Sequence, residues 1–210
     1  MLLVIETATA ACSVALLRGA EVVAERHEVV NRGHAEQLVP MIEDVLADLR
    51  PDAILVDCGP GSFTGLRVGL AAAQGLAIGW RVPVGGFSSL SLLAAMSGER
   101  AVAAALHGGH GELFVQDFAG DPLAPLGPLR SLPPAEAAAA IEAELVIGPA
   151  ADLLVATRGF GRATDALPRA AEAWRLPEAL RSLAARPIYG RSPDAKPLLS
   201  APGGAEGPMA

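Results

Sequence analysis

The stretch Gly59-Pro60-Gly61-Ser62-Phe63-Thr64-Gly65-Leu66-Arg67-Val68-Gly69 combines residue types that suit an anion or another protein. Its glycines permit unusual backbone angles, and a helix starting at Ser62 or Thr64 would present N–H groups at its N-terminus. The spacing excludes two familiar phosphate loops. A Walker A loop needs Gly-Lys-Ser/Thr where this chain has Gly65-Leu66-Arg67, and Gly-x-Gly-x-x-Gly needs glycine at Thr64. Arg67 falls in the first helical turn, where a cation opposes the helix dipole, so a carboxylate or anion is expected to meet it.

Other candidates are thinner. His107 and His110 lie three apart on a glycine turn without an evident third metal ligand, and His34 with Glu36 lacks the His-x-x-x-His face of helical zinc sites. A cysteine hydrolase would need Cys12 or Cys58 beside a histidine. Both sit in apolar strand sequence, which reads as inert core thiol. No metal site is expected on this chain.

The elements that must position these residues follow from periodicity. Leu2–Thr7, Ala11–Leu17 and Glu21–Val30 read as a three-strand meander turning at Arg18-Gly19-Ala20. Leu38, Met41, Ile42, Val45, Leu46 and Leu49 recur at helical spacing, with Glu36, Glu43, Asp44 and Asp48 opposite, predicting a helix over 34–49 with Pro40 inside it. Ala53–Cys58 is a fourth strand. Leu66–Trp80 is a helix apolar nearly all round, with Ala71, Gly75 and Gly79 on one face at spacing four. Such a helix must be covered on most sides, by its own sheet or by a second molecule.

Val82–Gly86 reads as a connector strand and Ser88–Met96 as a helix. Val102–Leu106 and Glu112–Phe118 form a hairpin. Asp121–Pro134 reads as a loop, Ala135–Glu144 as a helix and Leu145–Ile147 as a strand. Pro168–Ala185 reads as a helix broken at Pro177.

Composition bounds the reading. The 210 residues are 51% hydrophobic, enough for a sizeable core, but only 4% aromatic, with net charge −7. An acidic chain short of stacking platforms is poorly suited to gripping nucleic acid alone. Eight of the 16 Lys and Arg residues lie between Arg158 and Lys196 against four acids, as a solvated helix face or as a contact to RNA or an acidic partner. Two cysteines suggest a reducing cytoplasm, and the N-terminal apolar run reads as a strand rather than a signal peptide. The charge-free run Val68–Trp80 is shorter than the roughly 20 residues of a membrane helix.

The order β-β-β-α-β-α followed by a smaller α/β block fits an α/β fold of actin-like ATPase architecture: two lobes, the C-terminal one reduced. The expected division is 1–100, 101–190 and a flexible tail over 191–210. In actin-like ATPases the first strand ends in Asp-x-Gly, which handles phosphate and magnesium. Here the turn is Glu6-Thr7-Ala8-Thr9-Ala10, without glycine, so Glu6 and Thr7 read as a vestigial or complex-dependent nucleotide turn.

Glu6-Thr-Ala-Thr-Ala-Ala-Cys-Ser-Val-Ala-Leu, the helix from His34, Gly59-Pro-Gly-Ser-Phe-Thr-Gly-Leu-Arg-Val-Gly and Ala73-Gln-Gly-Leu-Ala together resemble the TsaB (YeaZ) family over about residues 1–118. Arg186-Pro-Ile-Tyr189-Gly-Arg191 resembles that family's closing segment. The resemblance implies a cytoplasmic, non-catalytic scaffold in tRNA threonylcarbamoyladenosine synthesis, pairing with its catalytic relative TsaD. A TsaE-type ATPase joins the complex, tRNA is engaged indirectly, no membrane is involved, and the chain forms a homodimer when alone. ATP and a metal belong to the partner. TsaD's metal-binding histidine motif corresponds here to Phe87-Ser-Ser-Leu-Ser-Leu-Leu, without histidine or carboxylate. The family's first-turn Asp is Glu6, and its Asp at the hairpin is His107.

The expected pairing surface combines Leu38 and Ile42 with Phe63, Arg67 and Val68, and with Ala71, Ala72 and Gly75. Gly59, Gly61, Ser62, Thr64 and Gly65 form its structural loop. Three alternatives stand beside this reading: an actin-like ATPase or kinase acting alone through Glu6, a glycoprotease-like hydrolase, and a tRNA-binding module built on the C-terminal arginines.

Overall fold

The computed structural model describes residues 1–188 and Gly190. Tyr189, Arg191 and the tail expected over 191–210 lie outside the described residues.

The first sheet contains β1 (Leu2–Glu6), β2 (Ala11–Arg18), β3 (Glu21–Val29), β4 (Ala53–Asp57) and β5 (Val84–Phe87). Its order is β3-β2-β1-β4-β5. The meander pairs antiparallel, and β1/β4 and β4/β5 pair parallel. β1 and β4 are nearly continuous aliphatic runs because helices cover both faces. On one face, α1 (His34–Leu46) and α2 (Phe63–Trp80) pack on Leu3, Ile5, Val14, Leu16, Ile54 and Val56. On the other face, Val4, Ala15, Leu17, Leu55 and Phe87 meet α3 (Ser89–Met96) and a 3₁₀ turn, Ala170–Arg175.

The second sheet contains β6 (Ala101–His107), β7 (Leu113–Gly120), β8 (Leu123–Pro125), β10 (Leu145–Ile147) and β11 (Arg162–Thr164), with β9 (Arg130–Leu132) paired on β7. α4 (Pro134–Ala140) and α5 (Ala151–Arg158) cover one face, and α3 covers the other through Leu90, Leu93 and Ala94. α3 is therefore sandwiched between the sheets and buried from Ser89 to Ala95.

Several expectations change. α1 ends at Leu46, where Ala47 takes φ 47°, so Leu49 is 43% exposed rather than part of the stripe. The span 121–134 carries two short strands instead of a plain loop. α5 and β11 were not anticipated, being short and weakly patterned. The segment 168–185 holds only 3₁₀ turns, Ala170–Arg175 and Glu178–Leu180, because Pro177 supplies no N–H for an α-helical ladder.

The last described part of the chain returns to the first sheet. Ala170, Ala171, Ala173 and Leu176 pack on the first sheet. Leu183 bridges Gly86 of β5, and the Ile188 N–H donates to the Cys58 carbonyl at 2.7 Å. Long-range pairing overrides sequence order here. Among the described residues no helix is long and apolar enough to cross a membrane.

Candidate functional site

The glycine-rich loop is clasped by the β1–β2 turn. The Ser62 N–H donates to the Ala8 carbonyl at 2.6 Å, and the Thr7 hydroxyl donates to the Gly65 carbonyl at 2.8 Å. A Cβ on Gly61 would overlap the Ala8 carbonyl, one on Gly65 the Thr7 carbonyl, and one on Gly69 the Thr7 hydroxyl. Among the loop glycines only Gly59 has positive φ, 97°. The others are there for close approach of two backbones.

Several of the loop's N–H groups are used inside the chain. Ser62 Oγ caps α2 by accepting from the Gly65 N–H at 3.2 Å, and Asp57 Oδ1 accepts from the Gly59 N–H at 2.6 Å. Thr64 is exposed at the start of α2. The loop thus works as an elbow braced by the first turn. Among the described residues Arg67 meets no carboxylate: its guanidinium lies 3.6 Å from the centroid of the Phe63 ring, a cation–π contact.

Glu6 is fully buried beneath this clasp, not displayed in it. Its Oε1 accepts from the Ala8 N–H at 2.8 Å and from the Thr9 hydroxyl at 3.4 Å. Burial first, and the neighbouring Asp57 second, push its pKa well above the usual carboxylate range. Asp57 is 1% exposed, and burial pushes it up to about 7. Sequence reading missed Asp57; the available signal was an acid ending an apolar strand directly before a glycine turn.

A cleft of about 640 Å³ opens between the lobes, lined by Thr9, Asn31, Ser62, Phe63, His107, His110 and Phe114 among others. Among the described residues, no carboxylate, lysine or arginine lines it. His107 Nε2 is engaged with the Pro149 carbonyl at 3.0 Å. Among the described residues, no group of three or more His, Cys, Asp or Glu side chains is placed to hold a metal. The thiols are poor nucleophiles: burial, with nearby acids, pushes Cys12 up to about 12 and Cys58 up to about 11.

α2 divides the expected pairing surface. Leu38 and Ile42 of α1 are only 1% and 4% exposed and belong to the core between helices and sheet, so they leave that surface. Val68 and Ala72 are half-buried beside them. Phe63, Arg67, Ala71 and Gly75 remain exposed, forming a ridge at spacing four that Gly79 extends. Ile78, which sequence reading did not single out, is 80% exposed on the same helix. A Cβ on Gly75 or Gly79 would meet nothing within 4 Å.

The family model for TsaD, tRNA N6-adenosine threonylcarbamoyltransferase, matches residues 20–122. The tRNA threonylcarbamoyladenosine biosynthesis protein TsaB of Escherichia coli K12 is 37% identical over 129 residues, 57% of this chain and 55% of that protein. The chain spans about half the length of the curated relatives it matches. The solved YeaZ of Pseudomonas aeruginosa superposes with TM-score 0.75 at 30% identity, covering 90% of this chain and 98% of that one. The ethanolamine utilization protein EutJ of Carboxydothermus hydrogenoformans superposes with TM-score 0.50 at 11% identity, over 86% of this chain and 89% of that one, a likeness of fold alone. The elbow, the clasping turn and the apolar helix thus stand in a chain that aligns with a YeaZ structure almost end to end, and this chain belongs to the TsaB (YeaZ) family.

Proposed function

We propose that the chain is a non-catalytic subunit in tRNA threonylcarbamoyladenosine biosynthesis, docking on a TsaD-type transferase through the outer face of α2. The observation that carries this reading is the uncovered ridge of α2. Phe63, Ala71, Gly75 and Ile78 expose apolar or small surface on an 18-residue helix that has no acidic residue. Small residues at spacing four let a second helix approach closely, and Ile78 supplies area to bury. The names of the TsaB relatives place them in this pathway.

The non-catalytic role draws support from the site's chemistry. The two carboxyls near the elbow are buried and shifted toward their neutral forms, and the thiols are shifted away from thiolate. Nucleotide and metal would then belong to the partner, with a TsaE-type ATPase joining the complex in the cytoplasm and tRNA reached through it. The same ridge would form a homodimer in the absence of the partner.

The test is co-purification of TsaD with wild type and with the double variant Gly75→Arg, Ile78→Asp. Both positions are exposed, so the circular dichroism and melting of the variant should match wild type while TsaD is lost from the pull-down. Retention of TsaD by the folded double variant sinks the interface. Reconstitution with TsaD, the threonylcarbamoyl-adenylate-forming enzyme and tRNA tests the role itself; equal product without this chain ends it.

A further inference from the structure

Glu6 pairs across the β1/β2 ladder with Ser13, and Ser13 pairs across β2/β3 with His27. The β1/β4 ladder aligns Ile5 with Val56, so Glu6 and Asp57 stand side by side one step further on. The alternation of strand side chains puts His27, Ser13, Glu6 and Asp57 in one row. The row lies on the face that α3 and the Ala170–Arg175 turn cover. Both covering elements tie it down: Ser13 Oγ accepts from the Ala170 N–H at 2.9 Å, and the Ser89 hydroxyl of α3 donates to Asp57 Oδ1 at 2.8 Å.

Among the described residues, the buried side-chain atoms without a hydrogen-bond partner are Glu6 Oε2, Asp57 Oδ2 and His27 Nδ1. All three belong to this row. Two carboxylates side by side in the interior, each with an unmatched oxygen, repel each other and pay the full desolvation cost. One proton between them removes both problems, since an O–H donating to O⁻ is a strong, charge-assisted bond.

We propose that Glu6 and Asp57 share one proton between Oε2 and Oδ2. This carboxyl–carboxylate latch ties the glycine-rich elbow to the first turn. Glu6 holds the turn through Ala8 and Thr9, and Asp57 holds the elbow through Gly59. The latch fixes the base of α2 whether or not the helix meets a partner.

Among the described residues, no ion pair reaches either carboxyl of the latch. Cys12 of β2 and Cys58 of the elbow are neutral thiols. Ser88, Ser89 and Ser91 line the α3 side. His34 at the start of α1 directs Nε2 to the Thr9 and Ala11 carbonyls at 3.1 and 3.0 Å. Arg169, in the segment over β3, pairs with Glu25 and bears on His27. No lysine or arginine is among the groups that shift Glu6 or Asp57.

The consequence is proton uptake on folding. Unfolded carboxyls ionise near pH 4, whereas the folded pair holds its proton to about 7 at Asp57. Stability from the latch is therefore full below the unfolded carboxyl range and lost as pH rises through the folded value. His27 works in the opposite sense, since burial and Arg169 lower its pKa. The latch is read as a difference between variants for that reason.

The experiment is urea unfolding of the full chain from about pH 5 to pH 8 for wild type, Asp57→Asn and Glu6→Gln, spanning the carboxyl and histidine ranges. Each amide keeps its acceptor oxygen and gives an N–H to the remaining carboxylate. The wild-type folding constant should fall with pH relative to Asp57→Asn, by up to about tenfold per pH unit for one proton. The infrared spectrum of native wild type near neutral pH should carry a protonated-carboxyl band that Asp57→Asn loses. That band decides the matter even if a variant fails to fold. Parallel pH profiles, or no such band in wild type, overturn the latch. A wild-type unfolding midpoint raised by Mg²⁺ or Ca²⁺ but unmoved in Asp57→Asn also overturns it, because a cation would then lie between the carboxyls.

Discussion

α2 and α3 are both apolar nearly all round, and the described residues cover only one of them on every side. α3 lies between two sheets and is buried from Ser89 to Ala95. α2 lies on the outer face of the first sheet, burying Leu66, Leu70, Ala73 and Ala77 and leaving Ala71, Gly75, Ile78 and Gly79 exposed. α3 carries leucines on every side because every side has a neighbour. α2 carries leucine toward the sheet, and its outward face mixes the small residues Ala71, Gly75 and Gly79 with the exposed Phe63 and Ile78. Apolar periodicity alone therefore does not separate a covered helix from an exposed one; what lies across each of its faces does.

This contrast can be broken first at α3. Leu90→Ala or Leu93→Ala removes a fully buried side chain and should cost about 2–5 kcal/mol, read as the urea midpoint at unchanged m-value. Ile78→Ala should cost under about 0.5 kcal/mol in the same assay. Equal losses at the two sites would mean that α2 is as covered as α3.

The elbow sharpens the contrast next. Gly61→Ala forces a methyl group into the Ala8 carbonyl and should destabilise by about 1–3 kcal/mol, whereas Gly75→Ala, with open space around it, should be neutral or slightly stabilising in urea titration. A neutral Gly61→Ala would show that the clasp is loose. On the docking side, Ile78→Asp should weaken TsaD binding by tenfold or more, about 1.4 kcal/mol, in calorimetry. Thiol labelling gives a smaller readout. Cys12 and Cys58, shifted up to about 12 and 11, should react with a disulfide reagent at pH 8 far more slowly in the native chain than in urea. Fast labelling of native protein would reopen a thiol chemistry. A modest effect is expected at Arg67→Ala, where loss of the contact with Phe63 should cost about 0.5–1 kcal/mol, read from the urea midpoint.

Much of the first lobe was legible in the residues. The meander, the α1 stripe, β4 and α2 follow from periods of 2 and 3.6 over long, strongly patterned runs. Which of the expected surface residues are exposed was legible only in part. Leu38 and Ile42 carry the same apolar signal as any interface residue, and only the sheet beneath them shows that the chain itself uses them. Arg67 looked like an anion ligand because its helix position disfavours a cation. The ring of Phe63, one turn back, supplied the partner instead.

Asp57 was hidden for a related reason. In sequence it ends an apolar run, and its neighbour Glu6 lies 51 positions away. Parallel pairing of β1 with β4 makes them adjacent. The C-terminal turns posed the same difficulty. Nothing local to Ala170–Arg175 says that it crosses back to cap the first sheet.

Local pattern by itself determined the element types of the first lobe and the position of the elbow. These depend on interactions within one strand, helix or turn. Tertiary structure decided which apolar face stays open, which backbones the loop glycines let meet, and that two distant acids share one buried site. Those outcomes depend on what lies across the sheet, and strand pairing brings together residues that the chain keeps far apart.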